Sequence, residues 1–139
     1  MLRQGGDTVD YFRLWPMSGT LSYDSARAVI ARTPAIVFVA NVRPISSRGN
    51  IALPDSLAQL VTATDAARPT VLVSLGSPYL LSQTPAARCY VIAWSGGRAS
   101  ERAVALALLG KVPIAGHLPI RIPPSYPIGF GVTIPTAHP

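Results

Sequence analysis

The sequence is short of charge, and above all of negative charge. Its 139 residues include six acidic and twelve basic side chains, so 13% are charged, whereas 49% are hydrophobic. Globular proteins average about 25% charged residues. So few charges cannot cover the outside of a compact domain, and we therefore expect apolar surface that needs a partner.

The scarce carboxylates are also poorly placed for catalysis. Asp55 and Glu101 fall in the first turns of predicted helices, where the helix dipole stabilises a negative charge. Asp24 lies near another helix start, and Asp65 lies in a loop that ends a helix. No two carboxylates are expected on facing strand ends, as glycoside hydrolysis or metal binding requires. The sequence therefore predicts no catalytic residue and no metal site.

Cysteine and histidine are equally scarce. The single cysteine, Cys89, excludes a disulfide within the chain, and its apolar surroundings predict a small buried side chain. The two histidines are His117, between prolines, and His138, one residue from the end. Neither is placed to activate a nucleophile. No cofactor motif is present, so we expect no cofactor.

Long hydrophobic runs and clusters of basic residues are absent. The longest apolar run has about seven residues, against roughly 18 for a membrane span, and the N-terminus lacks a signal-peptide core. The net charge of +6 comes from scattered arginines with no interleaved aromatic residues. We therefore predict no membrane span and no nucleic-acid partner, and the compartment stays open.

Short apolar runs alternate with amphipathic segments along the chain. This pattern predicts an α/β fold, a three-layer α/β/α sandwich with a mainly parallel sheet of about five or six strands. Ser22, Pro54 and Ser100 are predicted to start helices, and Gly110 to end the last one. Strands are expected at residues 35–40, 70–74 and 89–93, with possible short strands at 11–15 and 117–121.

Three loops follow the predicted strands, at residues 41–50, 76–78 and 95–100, where open α/β sheets bind ligands. Ser77 follows glycine and precedes proline, which departs from the G-x-S-x-G nucleophile motif and favours a turn. The segment from Ser95 to Arg98, S-G-G-R, could cradle an anion at a helix start, but it matches no phosphate-loop motif. For Ser77 and for the segment from Ser95 to Arg98, the alternative to a functional role is an ordinary turn.

The C-terminal half resembles a known family. The segments that carry the resemblance are LPDSLAQLV at 53–61, VLVSLGSPYLL at 71–81, YVIAWS at 90–95, RAVALALLG at 102–110 and PIAGHLPI at 113–120. In order and spacing they are similar to the C-terminal α/β-sandwich domain of family 3 glycoside hydrolases, on the β-N-acetylglucosaminidase side. The resemblance implies a lead-in at 1–21, a domain at 22–131 and a tail at 132–139.

The resemblance also implies where catalysis occurs. In that family a separate (β/α)8 barrel carries the nucleophile. The β-glucosidase kind places an acid/base glutamate on the loop that corresponds to residues 42–50, which here reads VRPISSRGN and has no carboxylate. No catalytic residue therefore carries over. The implied partners are a barrel domain and a carbohydrate in the cleft between the two domains.

The sequence thus predicts an accessory domain that supports O-glycosyl hydrolysis beside a barrel and is inactive alone. Its loops are expected to border the cleft, with four residues as candidate contacts to substrate or barrel: Arg43, Arg48, Ser77 and Ser95. The alternative is a stand-alone, non-catalytic binding or interaction module with the same fold. A small independent enzyme is disfavoured by the missing carboxylates.

Overall fold

Residues 9–42 and 52–137 are described by the computed structural model of the chain. Helices and strands alternate along them, as the hydrophobic pattern predicts for an α/β fold. In chain order the elements are α1 (Thr20–Arg32), β1 (Ile36–Ala40), α2 (Asp55–Ala67), β2 (Thr70–Ser74), a 3-10 helix (Pro78–Ser82), β3 (Tyr90–Ile92) and α3 (Arg98–Leu108).

The three strands form one parallel sheet in the order β1-β2-β3. The expectation of a parallel sheet is confirmed, but the described residues supply three strands, and five or six are not confirmed. The possible strands at 11–15 and 117–121 are absent. Pro119 has no amide hydrogen to donate, and the C-terminal segment pairs only through isolated bridges, such as that between Ile114 and Ile134.

Strand β2 lies between two layers of helix. Leu72 and Ser74 are in register with Phe38 and Ala40 of β1, so these four side chains share a face. On that face Phe38 packs in a cluster with α1 and α2. Alternate residues of β2 point to the opposite face, where Val73 packs with Val104 of α3. The central strand is therefore buried on both sides, which is why its three middle residues, Val71 to Val73, are all apolar.

The helix starts differ from those predicted at Ser22 and Ser100. Helix α1 is capped by Gly19 and α3 by Gly97. The Gly19 carbonyl already accepts the Ser22 amide, and the Gly97 carbonyl accepts the Glu101 amide. Both helical ladders thus begin upstream, which places the two serines inside the helices. Helix α2 begins at Asp55, one residue after the predicted start, because Pro54 is its N-cap residue.

The predicted end of α3 at Gly110 is confirmed. Gly110 has a φ of +67°, which side chains other than glycine rarely adopt. Its amide donates to Ala107 O, and the Lys111 amide donates to Leu106 O, each at 2.9 Å. This is the Schellman arrangement, which satisfies the last carbonyls of a helix.

The turn after β2 is held against the end of β1. Ala40 O accepts the Leu75 amide at 2.8 Å, and Val42 O accepts the Ser77 amide at 2.9 Å. The backbone at Gly76 passes so close that a Cβ there would lie 2.2 Å from Val42 O. Only glycine fits this crossing without displacement of the backbone.

We therefore predict that Gly76→Ala lowers the free energy of unfolding by about 2 to 4 kcal/mol, because the new methyl group forces the two loops apart. Urea titration followed by circular dichroism measures this. Gly116→Ala is the matched control, because a Cβ at Gly116 meets nothing within 4 Å. Equal stability of the two variants would contradict the account.

Candidate functional site

The turns that follow the three strands meet at the carboxyl edge of the sheet. Val42, after β1, contacts the turn at Gly76, after β2. Ser74 O, at the end of β2, accepts the amide of Ala93, after β3. Ligands of open α/β sheets bind at this edge. We call the described residues 41–42, 75–79 and 93–98 the carboxyl-edge turns.

Ser77 is engaged within its own turn. Its side chain accepts the Tyr79 amide at 3.4 Å, its carbonyl accepts the Ser74 hydroxyl at 2.5 Å, and the residue is 5% exposed. Pro78 then begins the 3-10 helix. The prediction that Gly76, Ser77 and Pro78 form a turn is confirmed, and no histidine of the described chain hydrogen-bonds Ser77.

A half-buried tyrosine supports the same turn. The Tyr90 hydroxyl donates to Pro78 O at 3.0 Å. Burial raises the pKa of Tyr90, and a hydrogen bond with Ser74 offsets part of that rise. The phenol therefore stays protonated at neutral pH, and its role here is that of a structural hydrogen-bond donor.

Ser95 and Trp94 form the most exposed of the carboxyl-edge turns. The Ser95 hydroxyl accepts the Gly97 amide at 3.2 Å, and the Ser95 amide donates to Ala93 O at 2.6 Å. Trp94 lies between Ala93 and Ser95, with a φ of +59° and an exposed side chain. Trp94 was not among the predicted site residues, because the motifs considered are those of catalytic side chains. The aromatic residue between a strand end and the S-G-G segment was the sequence feature that could have indicated it.

The other two candidates, Arg43 and Arg48, lie outside the described residues. The structure thus brings Ser77 and Ser95 to one edge of the sheet. Three of the described carboxylates pair with arginines: Asp10 with Arg32, Asp24 with Arg27 and Asp65 with Arg88.

Among residues 9–42 and 52–137, no group of three or more His, Cys, Asp or Glu side chains is placed to hold a metal ion. No helix of the described chain combines the length and the apolarity that a membrane crossing requires.

A depression lies at the amino edge of the sheet, beside Asp65. The Asp65 side chain is 7% exposed and accepts both the Arg88 amide, at 2.9 Å, and Arg88 Nε, at 3.3 Å. The Arg88 guanidinium also binds the Asp65 and Arg68 carbonyls. These bonds hold the end of α2 against the segment that leads into β3, so their visible role is structural.

Cys89 borders this depression and is exposed, which makes the prediction of a buried cysteine wrong. The strand begins only at Tyr90, and Arg88 turns toward Asp65, so Cys89 stays at the rim. Partial desolvation raises the pKa of its thiol, and the Asp65 carboxylate raises it further.

The geometry defines an α/β domain whose turns at the carboxyl edge contain no opposed acid and base among the described residues. The family model described as glycosyl hydrolase family 3 C-terminal domain matches residues 20–131. The chain therefore belongs to that family, as the sequence resemblance predicts. Domains of this family usually accompany a catalytic domain. No curated protein and no solved structure matches the chain.

The raised thiol pKa gives a test of the amino edge. We expect the pH at which Cys89 is half-maximally alkylated by iodoacetamide to lie above that of cysteine in a short, uncharged, unstructured peptide, because less thiolate is present at each pH. Asp65→Asn removes the nearby negative charge and should shift the profile to lower pH, in a variant shown to be folded by circular dichroism. A profile at or below that of the peptide would refute the burial and charge assigned here.

Proposed function

We propose that the chain is the accessory C-terminal domain of a family 3 glycosidase. It supports the hydrolysis of O-glycosyl bonds in carbohydrates when it is packed on a (β/α)8 barrel, and it has no turnover alone. The observation that carries this proposal is the family match over residues 20–131. The carboxyl-edge turns, as far as the structure describes them, contain no aspartate or glutamate, which supports the assignment of catalysis to a partner.

The surface of the described residues supports a large partner. A soluble monomer rarely exposes a large contiguous apolar patch, and such patches mark sites of association with other proteins.

The chemistry of that surface supports the same conclusion. Val39 of β1 is 57% exposed although it lies in a sheet. Ten other large hydrophobic side chains outside the carboxyl-edge turns are also exposed: Tyr11, Phe12, Trp15, Met17, Leu21, Val37, Ile128, Phe130, Val132 and Ile134. Buried apolar area stabilises an association by about 25 cal/mol per Å² before the entropic cost is subtracted.

The carboxyl-edge turns are the part of the domain that we place at the cleft. Arg43 and Arg48 would supply guanidinium donors to sugar hydroxyl groups or to the barrel, and Ser95 an exposed hydroxyl. Ser77 is buried, so it would act through the turn that it caps. The proposed substrates are β-N-acetylglucosaminides and β-glucosides.

The test is a complementation assay. The purified chain is incubated with chromogenic N-acetyl-β-glucosaminide and β-glucoside, alone and with an isolated family 3 barrel domain. We expect no hydrolysis by the chain alone, and a barrel rate that rises and saturates as the chain is added. Turnover by the chain alone would overturn the proposal.

Variants sharpen the same assay. Arg43→Ala and Arg48→Ala should each raise KM or weaken the barrel association by about tenfold, corresponding to the loss of one charged hydrogen bond. Arg102→Ala, which changes an exposed arginine on α3, is the matched control and should stay within about twofold. If the rate of hydrolysis by the barrel does not change when the wild-type chain is added, the stand-alone binding module is favoured instead.

A further inference from the structure

Trp94 has an unusual backbone conformation. Its φ is +59°, and the other positive φ values in the described chain belong to two glycines, Gly110 and Gly129. The hydrogen bond from the Ser95 amide to Ala93 O closes a tight three-residue turn around it. For a bulky side chain this conformation is a genuine outlier that stores strain.

The fold itself gains little from a tryptophan at this position. The ring is 44% exposed and belongs to none of the clusters of buried residues, whereas the preceding Ala93 packs against the cluster of Val73 and Val104. Glycine would form the same turn without strain. Packing therefore does not account for the residue, and backbone outliers of this kind cluster at functional sites.

The position of Trp94 indicates what the ring contacts. It follows β3 directly, at the edge where open α/β sheets bind ligands. The neighbouring strand, β2, leads to Tyr79, which is 45% exposed. Ser95, an exposed residue, follows Trp94 directly, and Arg98, the first residue of α3, lies four positions after Trp94. The edge thus combines exposed aromatic rings with groups that can hydrogen-bond hydroxyls.

We propose that Trp94 is a stacking platform for a pyranose ring. The face of an indole carries negative charge in its π system and attracts the weakly positive C–H groups of a sugar face. Hydrogen bonds from Ser95 and Arg98 would then orient the sugar hydroxyl groups. The choice of carbohydrate rests on the proposed function, but binding to Trp94 requires neither a barrel nor turnover.

The test is a nuclear magnetic resonance titration of the ¹⁵N-labelled chain without a barrel. The two tryptophans, Trp15 and Trp94, give two indole N–H signals, which Trp15→Phe assigns. The probes are N,N′-diacetylchitobiose and cellobiose, with glycerol as the control polyol. We expect the Trp94 signal to shift and saturate at millimolar disaccharide, and the Trp15 signal to stay unchanged.

Two outcomes of this titration, carried out without a barrel, would overturn the proposal. One is the absence of any Trp94 shift up to about 50 mM of either disaccharide, which corresponds to negligible binding. The other is a parallel, unsaturated shift of both indoles, which indicates a general solvent effect. A Trp94 shift that appears only on addition of a barrel domain would also overturn it, and would assign the ring to an interdomain contact.

Substitutions separate a binding role from a structural one. Trp94→Gly removes the ring and relieves the strain, so we expect a Tm equal to or above that of the wild type, with disaccharide binding weakened at least tenfold. Trp94→Ala keeps the strained φ and should melt a few degrees below Trp94→Gly. The matched control, Trp15→Ala, should bind disaccharide normally. A Trp94→Gly variant that melts well below the wild type, or that still binds, would show that the ring has another role.

Discussion

At the carboxyl edge of the sheet, the backbone after β1 lies against the backbone after β2, and Val42 O occupies the space where a side chain at position 76 would be. Because Gly76 allows this approach, the Ser77 amide reaches Val42 O and the 3-10 helix starts at Pro78. The Tyr90 hydroxyl then bonds Pro78 O and ties β3 to the same turn. One close contact between backbones thus sets the positions of the turns that follow all three strands.

In the function proposed above, these turns are the part of the domain that faces the catalytic partner. The family assignment associates the chain with a catalytic domain, and the structure offers fixed turns at the edge where a neighbouring domain and its ligand would meet. Trp94 fits the same division of roles, because its strain is held by Ala93 on one side and by the Ser95 to Gly97 hydrogen bond on the other. The neighbouring residues thus stabilise a strained backbone conformation whose energetic cost the packing of the indole ring does not offset.

Much of the fold was predictable from local chemistry. Apolar runs identified β1, β2 and β3, and Gly110 identified the end of α3, because these features depend on neighbours in sequence. The helix starts were missed because a glycine carbonyl can begin the ladder as readily as a serine cap. The exposure of Cys89 depends on Asp65, 24 positions away, which draws Arg88 aside. At the site, Ser77 could be identified as a turn residue from its neighbours, whereas the outlying φ of Trp94 is a property of the folded backbone and has no sequence pattern.

We propose that a partner covers the apolar surface of this domain, because large hydrophobic side chains such as Val39 of β1 are exposed. Isothermal titration calorimetry of the chain against an isolated family 3 barrel, repeated at several temperatures, measures this directly. We predict saturable one-to-one binding with a large negative heat-capacity change, since apolar area leaves water on association. A folded, monomeric chain that releases no heat with any barrel at any temperature would contradict the claim.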